Sequence, residues 1–144
     1  MAGHRIKLIN FMEFDFTPLK TFGQTAVWIA DNVPIRPYRN GTLIVRFRSI
    51  TLANASTTIT FNVVPAAPTP EDPARFYRNL NKTYPSGGLS ISGGVSGSAL
   101  LYSKELTTDN SPLPDFVSVQ MVVYQASVDT TFTFTADAEL ALKE

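Results

Sequence analysis

Residues 41–64 read GTLIVRFRSITLANASTTITFNVV, and the fold is decided there. In the first half Leu43, Val45 and Phe47 alternate with Ile44, Arg46 and Arg48. In the second, Ile59, Phe61 and Val63 alternate with Thr58, Thr60 and Asn62. A period of two, carried by β-branched and aromatic residues, is the pattern of half-buried strands. Asn54-Ala55-Ser56 lies between the two runs and supplies turn formers. The stretch therefore predicts a central β-hairpin with Leu43, Val45, Phe47, Ile59, Phe61 and Val63 turned inward.

Outward from it, the same pattern returns. Residues 116–124 put Val117, Val119, Met121 and Val123 on one face. Residues 130–142 put Phe132, Phe134, Ala136, Ala138, Leu140 and Leu142 on one side, with Thr131, Thr133, Thr135, Asp137 and Glu139 opposite. Residues 22–30 (FGQTAVWIA) and 99–106 read as further strands. Residues 87–98 carry glycines at 87, 88, 93, 94 and 97 and predict a weak, bulged strand. Pro34 and Pro37 confine residues 33–38 to an edge or a loop, because each removes a ladder donor. At the N-terminus Ile6 and Leu8 face one way and Arg5, Lys7 and Ile9 the other. Phe11, Phe14 and Phe16 follow, so residues 1–16 fit either an arm or a bending first strand.

Residues 65–88 differ in composition, with prolines at 65, 68, 70, 73 and 85. Thr69-Pro70-Glu71-Asp72 has the form of a helix start and predicts one short helix at 71–79. Proline-rich insertions of this length are frequently functional, which marks this one as a candidate contact. The whole is expected to be a single all-β domain over residues 1–144. Its expected architecture is an antiparallel two-sheet β-sandwich of seven to eight strands, jelly-roll-like or immunoglobulin-like.

Composition narrows the chemistry. There is no cysteine, which excludes disulfides, thiolate metal sites and cysteine nucleophiles. No apolar run approaches the roughly 20 residues of a membrane span, and the first residues lack the apolar core of a signal peptide. Synthesis in a cytoplasm without export by that route is the expectation. His4 is the only histidine, and near a terminus it is a poor centre for acid–base catalysis. Ser96 misses the G-x-S-x-G spacing by one place, and the glycines form no phosphate loop. Asp137 and Glu139 fit a solubilising strand face better than a metal or glycosidase pair. No enzyme activity, metal or cofactor is expected.

Net charge is zero but unevenly spread. Residues 1–104 hold 11 Lys and Arg against 5 acids; residues 105–144 hold one Lys against 7 acids. The ordinary outcome is that strands from the two ends pair and the charges intermingle. The sharper one is a molecule with a basic and an acidic patch, suited to packing against a partner. Arg46 and Arg48 share the outward face of one strand, where arginines meet carboxylates on a neighbouring strand or across an interface. Direct nucleic-acid binding is not expected from a neutral chain.

The TLIVRFRSITL strand, the PAAPTPEDPARFYRN insertion and the MVVYQASVDTTFTFTADAELAL ending together resemble the small structural proteins of tailed bacteriophages, head decoration (cement) proteins in particular. The resemblance lies in architecture and rests on no single motif. It implies a non-enzymatic virion protein on the capsid surface that binds the major capsid protein or another virion protein, as a homo-oligomer, with a trimer favoured. The contact residues it suggests are Arg36, Arg39, Arg46, Arg48, Phe11, Phe14, Phe16, Arg75 and Tyr77. A tail or baseplate component is a neighbouring expectation. The rival is a carbohydrate-binding or lectin-like sandwich that stacks sugars on Trp28, Tyr38, Tyr77, Tyr84 or Tyr102.

Overall fold

The computed structural model describes residues 3–15, 23–52, 58–72, 74–80, 82–92, 95–107, 112–125 and 133–143. Nine strands are found there: β1 (Gly3–Asp15), β2 (Gly23–Pro34), β3 (Asn40–Leu52), β4 (Thr58–Pro68), β5 (Phe76–Arg78), β6 (Tyr84–Ser92), β7 (Val95–Glu105), β8 (Phe116–Gln125) and β9 (Thr133–Lys143). They form two antiparallel sheets. Sheet A has the order β1-β9-β3-β7; sheet B has β2-β8-β4, with β5 and β6 both on the far edge of β4.

With the three-residue β5 set aside, the pairing follows one rule. The first strand pairs with the last (β1 with β9), the second with the next to last (β2 with β8), then β3 with β7 and β4 with β6. The chain is one long antiparallel ribbon rolled up, and β3–β9 and β4–β8 contacts close the roll. That is a jelly roll rather than an immunoglobulin-like sandwich.

This topology corrects the hairpin expected at 41–64. β3 and β4 lie in opposite sheets, and the turn residues 53–57 fall outside the described residues. Alternation reports which face a strand buries, not which strand it pairs with. The inward faces are nevertheless as expected: Leu43, Val45, Phe47, Ile59, Phe61 and Val63 are fully buried and meet across the sandwich. Val117, Val119, Met121 and Val123 of β8 and Phe134, Ala136, Ala138 and Leu140 of β9 complete the core. Phe47 packs edge-on against both Tyr102 and Phe134, with ring centroids 5.8 and 5.7 Å apart.

Three local expectations change. The described residues of 71–79 form no helix. Thr69 Oγ1 does accept the Asp72 N–H at 3.1 Å, as an N-cap would. The Arg75 N–H then returns to the Asp72 carbonyl, and the Thr69 N–H donates to the Arg75 carbonyl. The chain closes a tight loop, and Phe76–Arg78 pair with Ala66–Pro68. In β1, a register shift between Lys7 and Ile9 places Ile9, not Leu8, in the core, so the simple alternation fails there. The glycine-rich run 87–98 is shared between β6 and β7, with residues 93–94 outside the described set. Residues 33–34 prolong β2, an edge strand, which accommodates Pro34 at its end.

Candidate functional site

Outward-facing side chains are the material for function in this sandwich, and sheet A carries the densest group. Arg46 lies directly opposite Asp137, and Lys7 opposite Glu139, with β9 between β3 and β1. Lys7 Nζ donates to both Asp137 carboxylate oxygens at 2.8 Å. Arg5 donates to Glu139 Oε1 at 2.7 Å, and Arg46 reaches Glu139 at 3.0 Å and Asp137 at 3.4 Å. Three cations thus cover two carboxylates whose side chains are only 3% and 7% exposed. The Arg46 guanidinium is held above its ordinary pKa, first by its hydrogen bond to Glu139. The charges of Glu139 and Asp137 add to this, and desolvation opposes it.

These contacts decide the charge layout. The basic N-terminal part meets the acidic C-terminal part in Arg5–Glu139, Lys7–Asp137, Arg46–Glu139 and Arg39–Asp115 pairs. The charges intermingle, as sequential pairing of the two ends requires, instead of separating into two patches. Asp137 and Glu139, read from sequence as a solvated face, are the anchors of this network. The signal was present in the matching outward positions of β3 and β9, but only their adjacency makes it readable.

The other suggested contact residues fall in different places. Arg48 is exposed and lies over the Phe11 ring at 4.2 Å. Phe14 is in the core, stacked on Phe134 at 5.2 Å, and so supports the surface without forming it. Phe16 lies outside the described residues. Arg39 donates to Asp115 at 3.0 Å and to the Leu113 carbonyl at 3.2 Å, while Arg36, 3.9 Å from Asp115, has a 73% exposed side chain. Arg75 and Tyr77 stand out on the insertion, 82% (side chain) and 63% exposed. The structure therefore brings Arg46 together with Arg5 and Lys7, Arg48 with Phe11, and Arg36 with Arg39, and it does not unite all nine residues in one patch.

Sequence reading missed how the insertion is held. Arg78 forms an ion pair with Asp31 of β2 and lies 4.1 Å over the Trp28 ring. Phe76 packs edge-on against Phe116 of β8 at 5.2 Å, and the Asn79 N–H donates to the Pro65 carbonyl at 2.9 Å. Val64, Ala66 and Ser118, on the outward side of sheet B, are buried. Leu80, Met12 and Leu101 are exposed apolar residues that no sequence pattern singled out. His4 stacks with Tyr38, ring centroids 5.9 Å apart, beside a cleft of about 280 Å³ lined by Ile6, Pro34, Ile35 and Arg36. Among the described residues no group of three or more histidine or acidic side chains is placed to hold a metal ion.

No protein-family model matches the chain, and no curated protein matches it. Among solved structures, a chain in the structure of the infectious bursal disease virus Gx strain is similar, with a TM-score of 0.55 and 11% sequence identity. The match covers 98% of this chain and 31% of that one, so this chain spans less than a third of its neighbour's length. At that identity the likeness is one of fold: the sandwich as a whole is similar to one part of a chain from a virus.

Proposed function

We propose that this chain is a non-enzymatic structural protein of a virion, and more specifically a decoration protein of a tailed-bacteriophage head that stabilises the capsid by binding the major capsid protein. The observation that carries the reading is the jelly-roll topology, which is similar over 98% of the chain to part of a chain from a virus structure. Jelly rolls recur in viral capsid and lectin domains. The outward surface suits attachment. Arg36, Arg48, Arg75 and Tyr77 are exposed and belong to loops or strands fixed by the core. Arginine and tyrosine are the residue types that dominate interface energetics when a partner desolvates them. Arg46 and Phe14 act from beneath, the first by holding the face of sheet A and the second by fixing β1. The lectin-like rival has less support, because the guanidinium of Arg78 already occupies a face of Trp28.

The test is co-sedimentation of the purified chain with capsids that lack it. Saturable binding is expected, weakened about tenfold or more in an Arg75→Glu/Tyr77→Ala double variant, equivalent to at least about 1.4 kcal/mol. A folded protein that stays in the supernatant with every particle offered would overturn the reading.

A further inference from the structure

We infer that the outer edge of β7 is a self-association site, and that two copies pair β7 to β7 to make a continuous eight-stranded sheet across a two-fold axis. An open strand edge presents a row of unpaired N–H and C=O groups, and proteins blunt such edges with bulges, prolines or charges. Four edges bound the two sheets, formed by β1, β7, β2 and the β5/β6 pair. Three are interrupted. β1 has register shifts at Lys7/Ile9 and Ile9/Met12, with Phe11 at φ 46°. β2 has shifts at Trp28/Ala30 and Ala30/Val33, with Asn32 at φ 54°, and it ends on Pro34. β5 is three residues long, and β6 contains Pro85 and two glycines at φ 79° and 74°.

β7 has no such interruption, and its two charged residues, Lys104 and Glu105, lie at its end. Its ladder with β3 runs from Glu105 to Val95 without a shift, and it contains no proline. Residues 95–103 carry no charge. Midway, Leu101 is 63% exposed beside Arg46 of β3. The occupant is a second copy because a strand edge is recognised by another extended strand, and antiparallel pairing of two identical strands satisfies both edges with one two-fold axis. Placing that axis at Leu101 buries the exposed leucine against its symmetry mate. In this register Lys104 falls opposite Ser98 and Glu105 opposite Gly97, so no like charges face each other. A two-fold dimer takes the place of the trimer that the resemblance implied. The inference is independent of capsid binding, since association is measured on the chain alone.

Light scattering across a dilution series is expected to give twice the 15.8 kDa of one chain at the concentrated end. Leu101→Lys places two cations at the axis on an exposed position, and is expected to leave a folded monomer. Because the chain has no cysteine, Leu101→Cys is a clean geometric probe. It is expected to form a disulfide-linked dimer on mild oxidation, whereas the equally exposed Tyr77→Cys does not. A monomer at every concentration overturns the inference, as does a mass three times that of the chain. So does an L101K protein that associates as well as the parent, or cross-linking at position 77 as fast as at 101.

Discussion

Asp137 is the residue on which the outward face of sheet A depends. It is 2% exposed, yet it takes Lys7 at 2.8 Å and Arg46 at 3.4 Å. Breaking a fully buried pair costs about 3–5 kcal/mol, and an exposed pair contributes about 0–1. Here the carboxylate is buried while the Lys7 and Arg46 side chains remain 46% and 35% exposed, so the cations can rehydrate when their partner is removed. Asp137→Ala is therefore expected to cost about 1–2 kcal/mol in urea unfolding, and Arg5→Ala, whose side chain is 65% exposed, under about 1 kcal/mol. Equal losses from the two would show that burial of the carboxylate does not matter. The raised pKa of Arg46 has a simple sign. A cation stabilised in the folded state contributes below its unfolded pKa, and that contribution is lost only as pH rises through the folded value, so it is constant at ordinary pH. Gly88 is constrained differently. Its φ is 74°, and a Cβ there would lie 2.2 Å from Asn62 Oδ1 and 2.9 Å from the Phe61 carbonyl. Gly87, at φ 79°, has open space around it. Gly87→Ala is expected to cost about 1 kcal/mol from backbone conformation alone, and Gly88→Ala about 2–4, because β4 must also shift. Matched denaturation curves compare them directly.

At the scale of elements, β5 and the turn before it show how a proline-rich excursion becomes ordered. Three residue pairs with β4, the Phe76–Phe116 contact and the Arg78–Asp31–Trp28 clasp tie it to sheet B. Arg78→Ala removes an exposed ion pair and a cation–π contact, together about 1 kcal/mol. Global stability should fall by no more than that, while proteolytic cleavage within 69–80 accelerates, because local opening is governed by the clasp and not by the core. Limited proteolysis with unchanged cleavage at this segment would show that β5 is held by strand pairing alone. The clasp also explains what the sequence could and could not convey. Inward faces were legible, since Leu43, Val45, Phe47 and their counterparts on β4, β8 and β9 follow a strict period of two. Partnership was not, because the period is the same whether β3 pairs with β4 or with β9. The helix expected at 71–79 failed for a related reason. Thr69 and Asp72 behave as a cap, but Phe76-Tyr77-Arg78 find a strand edge at Ala66–Pro68, and tertiary pairing overrides a short helix with weak local support. Of the surface residues, Arg46 was legible as one half of an ion pair, and its partners became visible only with the sheet order. Arg78 and Leu101 were not legible at all, since their roles come from Trp28 and Asp31 in one case and an unblunted edge in the other.

At the scale of the whole molecule, the rolled ribbon makes the two ends of the described chain structural neighbours. Gly3 pairs with Lys143, and the ladder continues to Asp15–Thr133. Residues 3–15 are thus the outer strand of sheet A and not a detachable arm: Ile9 and Phe14 lie in the core, and Lys7 neutralises Asp137. Deleting them uncovers β9 along its length and leaves two nearly buried carboxylates with Arg46 as their remaining partner. The truncated chain is expected to lose its cooperative thermal transition, so β1's part in attachment has to be probed by substitutions at its exposed positions, such as Met12 or Glu13. The same closure can be reinforced. A Gly3→Cys/Lys143→Cys pair would cross-link nearly the whole chain, with no native cysteine to mispair. On chain entropy such a long loop contributes about 3–5 kcal/mol, and each kcal/mol raises the melting temperature of a domain near this size by roughly 2–4 °C. The oxidised protein should therefore melt about 10 °C above its reduced form. A large rise would mean that β1–β9 separation is part of the global unfolding transition. A rise of only a degree or two would mean that β1 peels away while the remaining roll stays folded, and β1 would then be an arm in behaviour if not in geometry.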